Sequence, residues 1–192
     1  MTAGAVLTGG SSRRMGRDKA TLPIDGEPMA ARVANALAGG GCEPVVAVGG
    51  AAIAGLDTVP DAHPGEGPLG GVITALRHLG VDTVVVACDL PDLDARTVAL
   101  VAGAPPGTAT VRVASTDRLQ PHCARWPFVL LPLLEQQFAE GARSLRAVLA
   151  AVVVEAVPVD HHALADLDTP DEVAARTRRG AREEPEPPAP GR

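Results

Sequence analysis

A chain of 192 residues, 46% of them hydrophobic, is long enough for one domain with a full core. A formal net charge of −6 without a long basic tract excludes a nucleic-acid binder, which needs a broad cationic face. No apolar run reaches the roughly 18 residues of a membrane span, and no charged segment precedes the first apolar run, so neither a transmembrane helix nor a signal peptide is expected.

Ala3 to Leu7 is an apolar run that reads as a short buried strand. Thr8-Gly9-Gly10 follows, then Ser11-Ser12-Arg13-Arg14-Met15-Gly16-Arg17-Asp18-Lys19. The two glycines let the backbone turn and approach a ligand without a Cβ in the way. Arg13, Arg14, Arg17 and Lys19 then stand against a single carboxylate, Asp18. Strand, glycine turn and dense positive charge together predict a polyphosphate cradle, with backbone N–H groups as donors and Arg and Lys as charges. A solvated basic loop is the plain alternative. The loop lacks the Gly-Lys-Ser/Thr of a P-loop and the GxGxxG of a dinucleotide fold. Lys19 is therefore expected to reach the phosphates from the far side of an excursion, not from a helix N-terminus.

Thr21 to Ile24 reads as extended, with Asp25-Gly26 turning it. Pro28 to Leu37 reads as a helix stopped by Gly39-Gly40-Gly41, and Pro44 to Val48 as the second strand. Gly49-Gly50 and a weakly helical Ala51 to Leu56 lead to a third strand, Thr58-Val59. Asp61 to Gly71 is a Gly- and Pro-rich loop that opens a helix ending near Leu79. Its glycines, Gly67 and Gly71 among them, would let a planar base approach the backbone; a surface loop is the alternative. Thr83 to Ala87 is β-branched or small throughout, as a buried central strand requires. It ends at Cys88-Asp89-Leu90-Pro91. Asp89, a lone carboxylate at a buried strand's end, is a candidate ligand for Mg²⁺ completed by substrate phosphates; otherwise it caps the next turn.

Asp94 is the expected N-cap of a helix to about Ala102. Thr108 to Ala114 and Leu119 to Ala124 read as strands, Trp126 to Glu140 and Ser144 to Leu149 as helical, and Ala151 to Val157 as a strand. Asp166 and Asp168 share one face of an extended segment and could add a substrate or metal contact; the alternative is that Asp168 or Thr169 caps the helix from Pro170 to about Arg178. Trp126 and Phe128 are read as core, and His161-His162 as surface. Residues 180–192, rich in Pro and Glu, are expected to be a disordered tail beyond a single domain of residues 1–179. Three distant cysteines, Cys42, Cys88 and Cys123, argue for a reducing cytoplasm. The alternation of strands and helices predicts an α/β, Rossmann-like, mostly parallel sheet with helices on both faces. Ligands of such sheets sit beyond the carboxyl ends of the strands, so the basic loop and Asp89 are expected at one crevice although 70 residues separate Lys19 from Asp89.

These motifs resemble those of the molybdenum cofactor guanylyltransferase family. The resemblance rests on Gly9-Gly10, Ser12, Arg14-Met15-Gly16 and Asp18-Lys19, on Asp61 with Gly67 to Gly71, on Cys88 to Pro91, on Gln120-Pro121 and on Thr169-Pro170, in order along residues 5–175. Asp166 and Asp168 stand where the family has asparagines, and Val48 or Gly49 where some members have another. The resemblance implies a nucleotide-diphospho-sugar transferase-like fold and transfer of GMP from GTP to molybdopterin. It implies GTP contacts by Leu7, Thr8, Gly9, Gly10 and Lys19, a nucleotide contact by Asp61, Mg²⁺ on Asp89, and Arg14, Lys19 and Asp89 as the catalytic set. Partners implied are GTP, molybdopterin, and a molybdoenzyme or cofactor-synthesis protein. The Asp-Thr-Pro ending also resembles the cytidylyltransferase relatives. Cytidylyl transfer, a sugar-phosphate acceptor, and a non-catalytic nucleotide-binding protein are the alternatives.

Overall fold

The computed structural model describes residues 1–9, 19–105 and 107–167. The readings placed on Gly10, Arg13, Arg14, Arg17, Asp18, Asp168, the helix from Pro170 and the Pro-rich tail lie outside them.

Ala3–Leu7 is β1, buried along nearly its whole length as its all-apolar sequence requires. Lys19–Thr21 is a 3₁₀ turn, so the extended segment begins later than expected, at β2, Pro23–Ile24. Asp25 (φ 50°) and Gly26 (φ 83°) close a hairpin onto β3, Glu27–Pro28; two positive φ values are what such a two-residue turn demands. Helix α1, Met29–Gly39, buries Met29, Ala30, Val33, Ala34, Ala36 and Leu37, spaced for one helical face.

Strands β4, Val45–Val48, and β5, Asp57–Val59, follow. The expected helix over Ala51 to Leu56 does not form: the segment is a turn closed by an Ile53–Leu56 bridge. Gly50 (φ 65°) and Gly55 (φ 76°) leave too few residues between them to propagate a helix, and Ile53 is instead turned into the core. Helix α2, Pro68–Leu79, has Pro at its first turn and ends at left-handed Gly80, so Gly70 and Gly71 belong to the helix and not to the loop before it.

Strand β6, Thr83–Ala87, leads to α3, Ala95–Ala102, where Asp94 accepts from Thr97 N at 2.6 Å as the expected N-cap. Strands β7, Val111–Ser115, and β8, Leu119–Trp126, form a hairpin, with β7 starting later and β8 running longer than expected. Trp126 is therefore a strand residue, fully buried, whereas Phe128 just beyond it is 39% exposed and not core. Helix α4 is Leu131–Ala139; α5, Leu145–Leu149, is capped by Ser144; β9 is Val154–Pro158.

Seven strands form one sheet in the order β5-β4-β1-β6-β8-β7-β9, parallel throughout except for β8. The period-two alternation of each strand feeds two apolar layers. Val6, Val84 and Val86 pack with α1 and α3; Ala5, Val85 and Trp126 pack with α2, α4 and α5. The chain passes from β1 out to β4 and β5, then returns to place β6 on β1's other side. That reversal opens a crevice beyond the carboxyl ends of β1 and β6, where such sheets bind ligands.

Candidate active site

The crevice begins with glycine backbone. Thr8 N and Gly9 N both donate to Val48 O, at 3.0 and 3.1 Å, and Thr8 Oγ1 donates to Gly49 O at 2.6 Å. The glycine turn after β1 thereby lies against a second glycine pair after β4. A Cβ on Gly49 would stand 3.0 Å from Gly9 Cα, and one on Gly50 2.7 Å from Thr8 O. Both have positive φ, so neither position admits an ordinary side chain. Read from the sequence alone, Gly49 and Gly50 take no part in the glycine turn; two glycines at the end of a second strand were the available signal.

Asp61 adjoins this backbone. Its Oδ1 accepts from His63 N and from Thr74 Oγ1, both at 3.0 Å. The Thr74 hydroxyl in turn accepts from Ala62 N at 3.1 Å. Asp61 Oδ2 lies 3.7 Å from where a Cβ on Gly9 would be. Gly67 is the N-cap of α2 with φ 93°, and a Cβ there would meet Arg143 O at 2.8 Å. A Cβ on Gly71 would stand 2.9 Å from Leu7 Cδ2. Gly71 thus seats α2 on the last residue of β1, while Gly67 holds the preceding loop against the α4–α5 connection.

The opposite wall carries charge. Lys19 Nζ lies 3.9 Å from Asp89 Oδ2, with the side chains 15% and 30% exposed. Cys88 N, beside Asp89, donates to Leu7 O at 3.2 Å, tying the end of β6 to the end of β1. The expected meeting of the two distant segments is therefore present, and Lys19 comes from a 3₁₀ turn and not from a helix N-terminus.

Asp89 also borders a cavity of about 760 Å³, lined by Asp117, Arg118, Gln120, His161 and Asp166 among others. Leu167 N donates to Asp89 O at 3.1 Å, which lays the segment after β9 along this cavity. Gln120, singled out in the sequence, is oriented by Thr116 at 3.2 Å. His161 is a surface residue as expected, its side chain 66% exposed; it lies at the cavity, 3.1 Å from an exposed Asp117. Asp117 and Arg118 also line it; the available signal was a polar turn between two strands, shortly before Gln120.

Cys42 and Cys123 contribute no nucleophile. Burial pushes the Cys42 thiol up to about 11. Burial, with Cys42 nearby, pushes Cys123 up to about 12. Among the described residues no group of three or more His, Cys, Asp or Glu side chains is arranged to hold a metal ion. Asp89 alone fits a hard cation such as Mg²⁺, which accepts one carboxylate with substrate phosphates and water as its other ligands.

Glycine backbone and a lysine–carboxylate pair gather at the reversal of an α/β sheet, where such folds bind ligands. Residues 4–159 match the family model of the MobA-like NTP transferase domain, and the chain belongs to that family. It is 36% identical over 159 residues to a probable molybdenum cofactor guanylyltransferase of Opitutus terrae, covering 79% of each chain. It is 33% identical over 183 residues to a protein of the same description from Deinococcus radiodurans, covering 92% of this chain and 94% of the other. The crystal structure of molybdopterin-guanine dinucleotide biosynthesis protein A from Archaeoglobus fulgidus shares the fold, with a TM-score of 0.77 at 22% identity over 95% of this chain and 100% of that one.

Proposed function

We propose that this enzyme transfers GMP from GTP to the terminal phosphate of molybdopterin, forming the guanine dinucleotide and releasing pyrophosphate. The observation that carries the reading is the position of Asp89. It pairs with Lys19 at 3.9 Å, follows a strand end bonded to the end of β1, and borders the 760 Å³ cavity. A carboxylate shared by the lysine and the cavity suits a reaction that joins two anionic substrates. The shared description of the relatives supports guanylyl transfer in particular.

In this reading the backbone around Gly9 and the loop from Asp61 to Gly67 receive the nucleoside. Lys19 neutralises charge on the triphosphate. Mg²⁺, held by Asp89 and phosphate oxygens, would supply further charge neutralisation. The cavity with Arg118, Gln120 and His161 receives the acceptor. An acceptor phosphate oxygen forms the new bond to the α-phosphorus of GTP. The bond from that phosphorus to the bridging oxygen breaks, and its electron pair leaves with pyrophosphate. A phosphate monoester is already largely dianionic at neutral pH, so no general base is needed. Rate enhancement then comes from positioning and charge.

The test is pyrophosphate release by the purified protein, with GTP or CTP crossed against molybdopterin or a sugar phosphate. Release that requires GTP, molybdopterin and Mg²⁺ together is expected. Faster turnover of CTP moves the enzyme to the cytidylyl branch, a sugar phosphate as the better acceptor changes the substrate, and GTP binding without release under any acceptor favours a non-catalytic binder.

A further inference from the structure

The loop from Asp61 to Gly67 is held mainly from outside the nucleotide site. Its internal bonds run from His63 N to Asp61 Oδ1 at 3.0 Å and from Glu66 N to His63 O at 3.2 Å. Thr74 of α2 holds its start, at Asp61 and Ala62. From His63 on, its contacts are to Phe138 at the end of α4 and to Arg143 before α5. The His63 ring lies 4.5 Å from the Phe138 ring, tilted by 47°. The Arg143 guanidinium lies over the same ring at 4.0 Å. Arg143 Nη2 pairs with Glu66 at 3.1 Å, while Nη1 donates to Phe138 O at 2.6 Å and to Ala142 O at 2.9 Å. The Arg143 backbone acts as well: its carbonyl accepts from Leu69 N at 3.2 Å, against a Gly67 that has no room for a Cβ.

Arg143 thus grips the loop twice, by side chain at Glu66 and by carbonyl at the start of α2. Its side chain is 42% exposed and that of Glu66 47%, so the ion pair adds little to global stability. What the cluster does supply is geometry. Aromatic stacking, a cation over the ring and a two-bond anchor to carbonyls each restrict direction as well as distance. The restrained segment starts at Asp61 and ends at Gly67, the two sequence-predicted nucleotide contacts that flank it.

We propose that Phe138 and Arg143 are positioning residues that hold the 61–67 loop in register for the nucleotide base, so that base preference is set in part by the α4–α5 connection. This rests on the reading of that loop as the nucleoside side of the site. Neither residue touches the reacting phosphates.

The experiment compares Arg143→Ala, Arg143→Lys, Phe138→Ala and Phe138→Leu with the wild type. It measures pyrophosphate-release kinetics with GTP and with CTP, and hydrogen exchange of peptides covering residues 61–67. Arg143→Ala and Phe138→Ala are expected to raise KM for GTP about tenfold, the size of one charge-assisted contact, with kcat within about twofold. The kcat/KM preference between the two nucleotides should narrow, and exchange in the loop should speed up. Arg143→Lys keeps a cation over the ring and should recover part of the loss; Phe138→Leu reports on the site if the alanine variant does not fold. Unchanged KM and unchanged base preference in folded variants overturn the proposal, as does a fall in kcat alone. If the wild type releases pyrophosphate from neither nucleotide, the functional reading fails. Loop exchange then still decides the clamp, and exchange equal to wild type in Arg143→Ala refutes it.

Discussion

Substituting Lys19 by Ala separates what its pair with Asp89 does for the fold from what it does for the reaction. At 3.9 Å, two unit charges attract by about 1 kcal/mol in water and about 4 kcal/mol at the effective dielectric of a protein surface. Both side chains retain solvent access, at 15% and 30%, so hydration offsets most of that attraction in the resting protein. Loss of the pair should change the free energy of unfolding by about 1 kcal/mol or less. Catalysis responds on another scale. Removing one preorganised charge aimed at developing negative charge commonly lowers turnover about 100-fold. That is about 2.7 kcal/mol of barrier, at roughly 1.36 kcal/mol per tenfold. The assay is initial-rate pyrophosphate release from GTP and molybdopterin, run beside urea unfolding of the same preparations. Lys19→Ala and Asp89→Asn should both lose at least about 100-fold in rate while unfolding nearly as the wild type does. A rate within about threefold of wild type, or a stability loss above about 2 kcal/mol, would refute the assignment and make the pair a strut of the fold.

At the amino end of β6, away from the crevice, Arg125 is 2% exposed and bonds Asp82 through Nη2 at 2.5 Å, while Asp82 also accepts from Phe128 N at 2.7 Å. Asp82→Ala strands a buried guanidinium and should cost about 3–5 kcal/mol in urea unfolding, whereas Arg125→Met, which removes the charge itself, should cost much less. Thr74→Val keeps the volume of α2 but removes the hydroxyl that orients Asp61. KM for GTP should rise about fivefold with kcat held, the effect of one hydrogen bond to a carboxylate from a hydroxyl proton shared with Gly70 O, as steady-state kinetics will read. The two buried thiols give a pH dependence at the alkaline end. Their folded values of about 11 and 12 lie above the ordinary thiol value of 9.0, so the unfolded chain loses these protons first and the folded state binds more. Stability is complete below pH about 9 and falls as the pH rises through about 11 to 12, by up to roughly 1.4 kcal/mol per pH unit for each thiol. Urea midpoints taken between pH 8 and 11 check the sign, and Cys123→Ser or Cys42→Ser should flatten the slope.

The local features were legible because short-range chemistry determines them. The all-apolar runs of Ala3–Leu7 and Thr83–Ala87 had to be buried strands, Asp94 had to cap α3, and Asp25-Gly26 had to turn a hairpin. The segment from Ala51 to Leu56 was misread because weak helical propensity yielded to two positive-φ glycines and a buried Ile53. Trp126 was misplaced because an aromatic at a strand's end shares its apolar period with the helix that follows. The glycine turn, Asp61 and Asp89 are visible as motifs, and the α/β switch-point rule by itself places Lys19 and Asp89 at one crevice. What remained for the tertiary structure was everything carried by packing between segments distant in the chain. Gly49 and Gly50 matter through Thr8 and Gly9, 40 residues earlier, as the Thr8 bonds to Val48 and Gly49 show. Arg118, Asp117 and His161 converge beside Asp89 only once the β7–β8 hairpin and the segment after β9 fold onto one edge. The loop that opens with Asp61 is held by Phe138 and Arg143, which no spacing in the sequence links to it. A sequence determines which backbone conformations and charges are available at each position, because those depend on neighbours along the chain. Which of them face each other depends on how the sheet orders its strands, and that follows from the burial of both its faces at once.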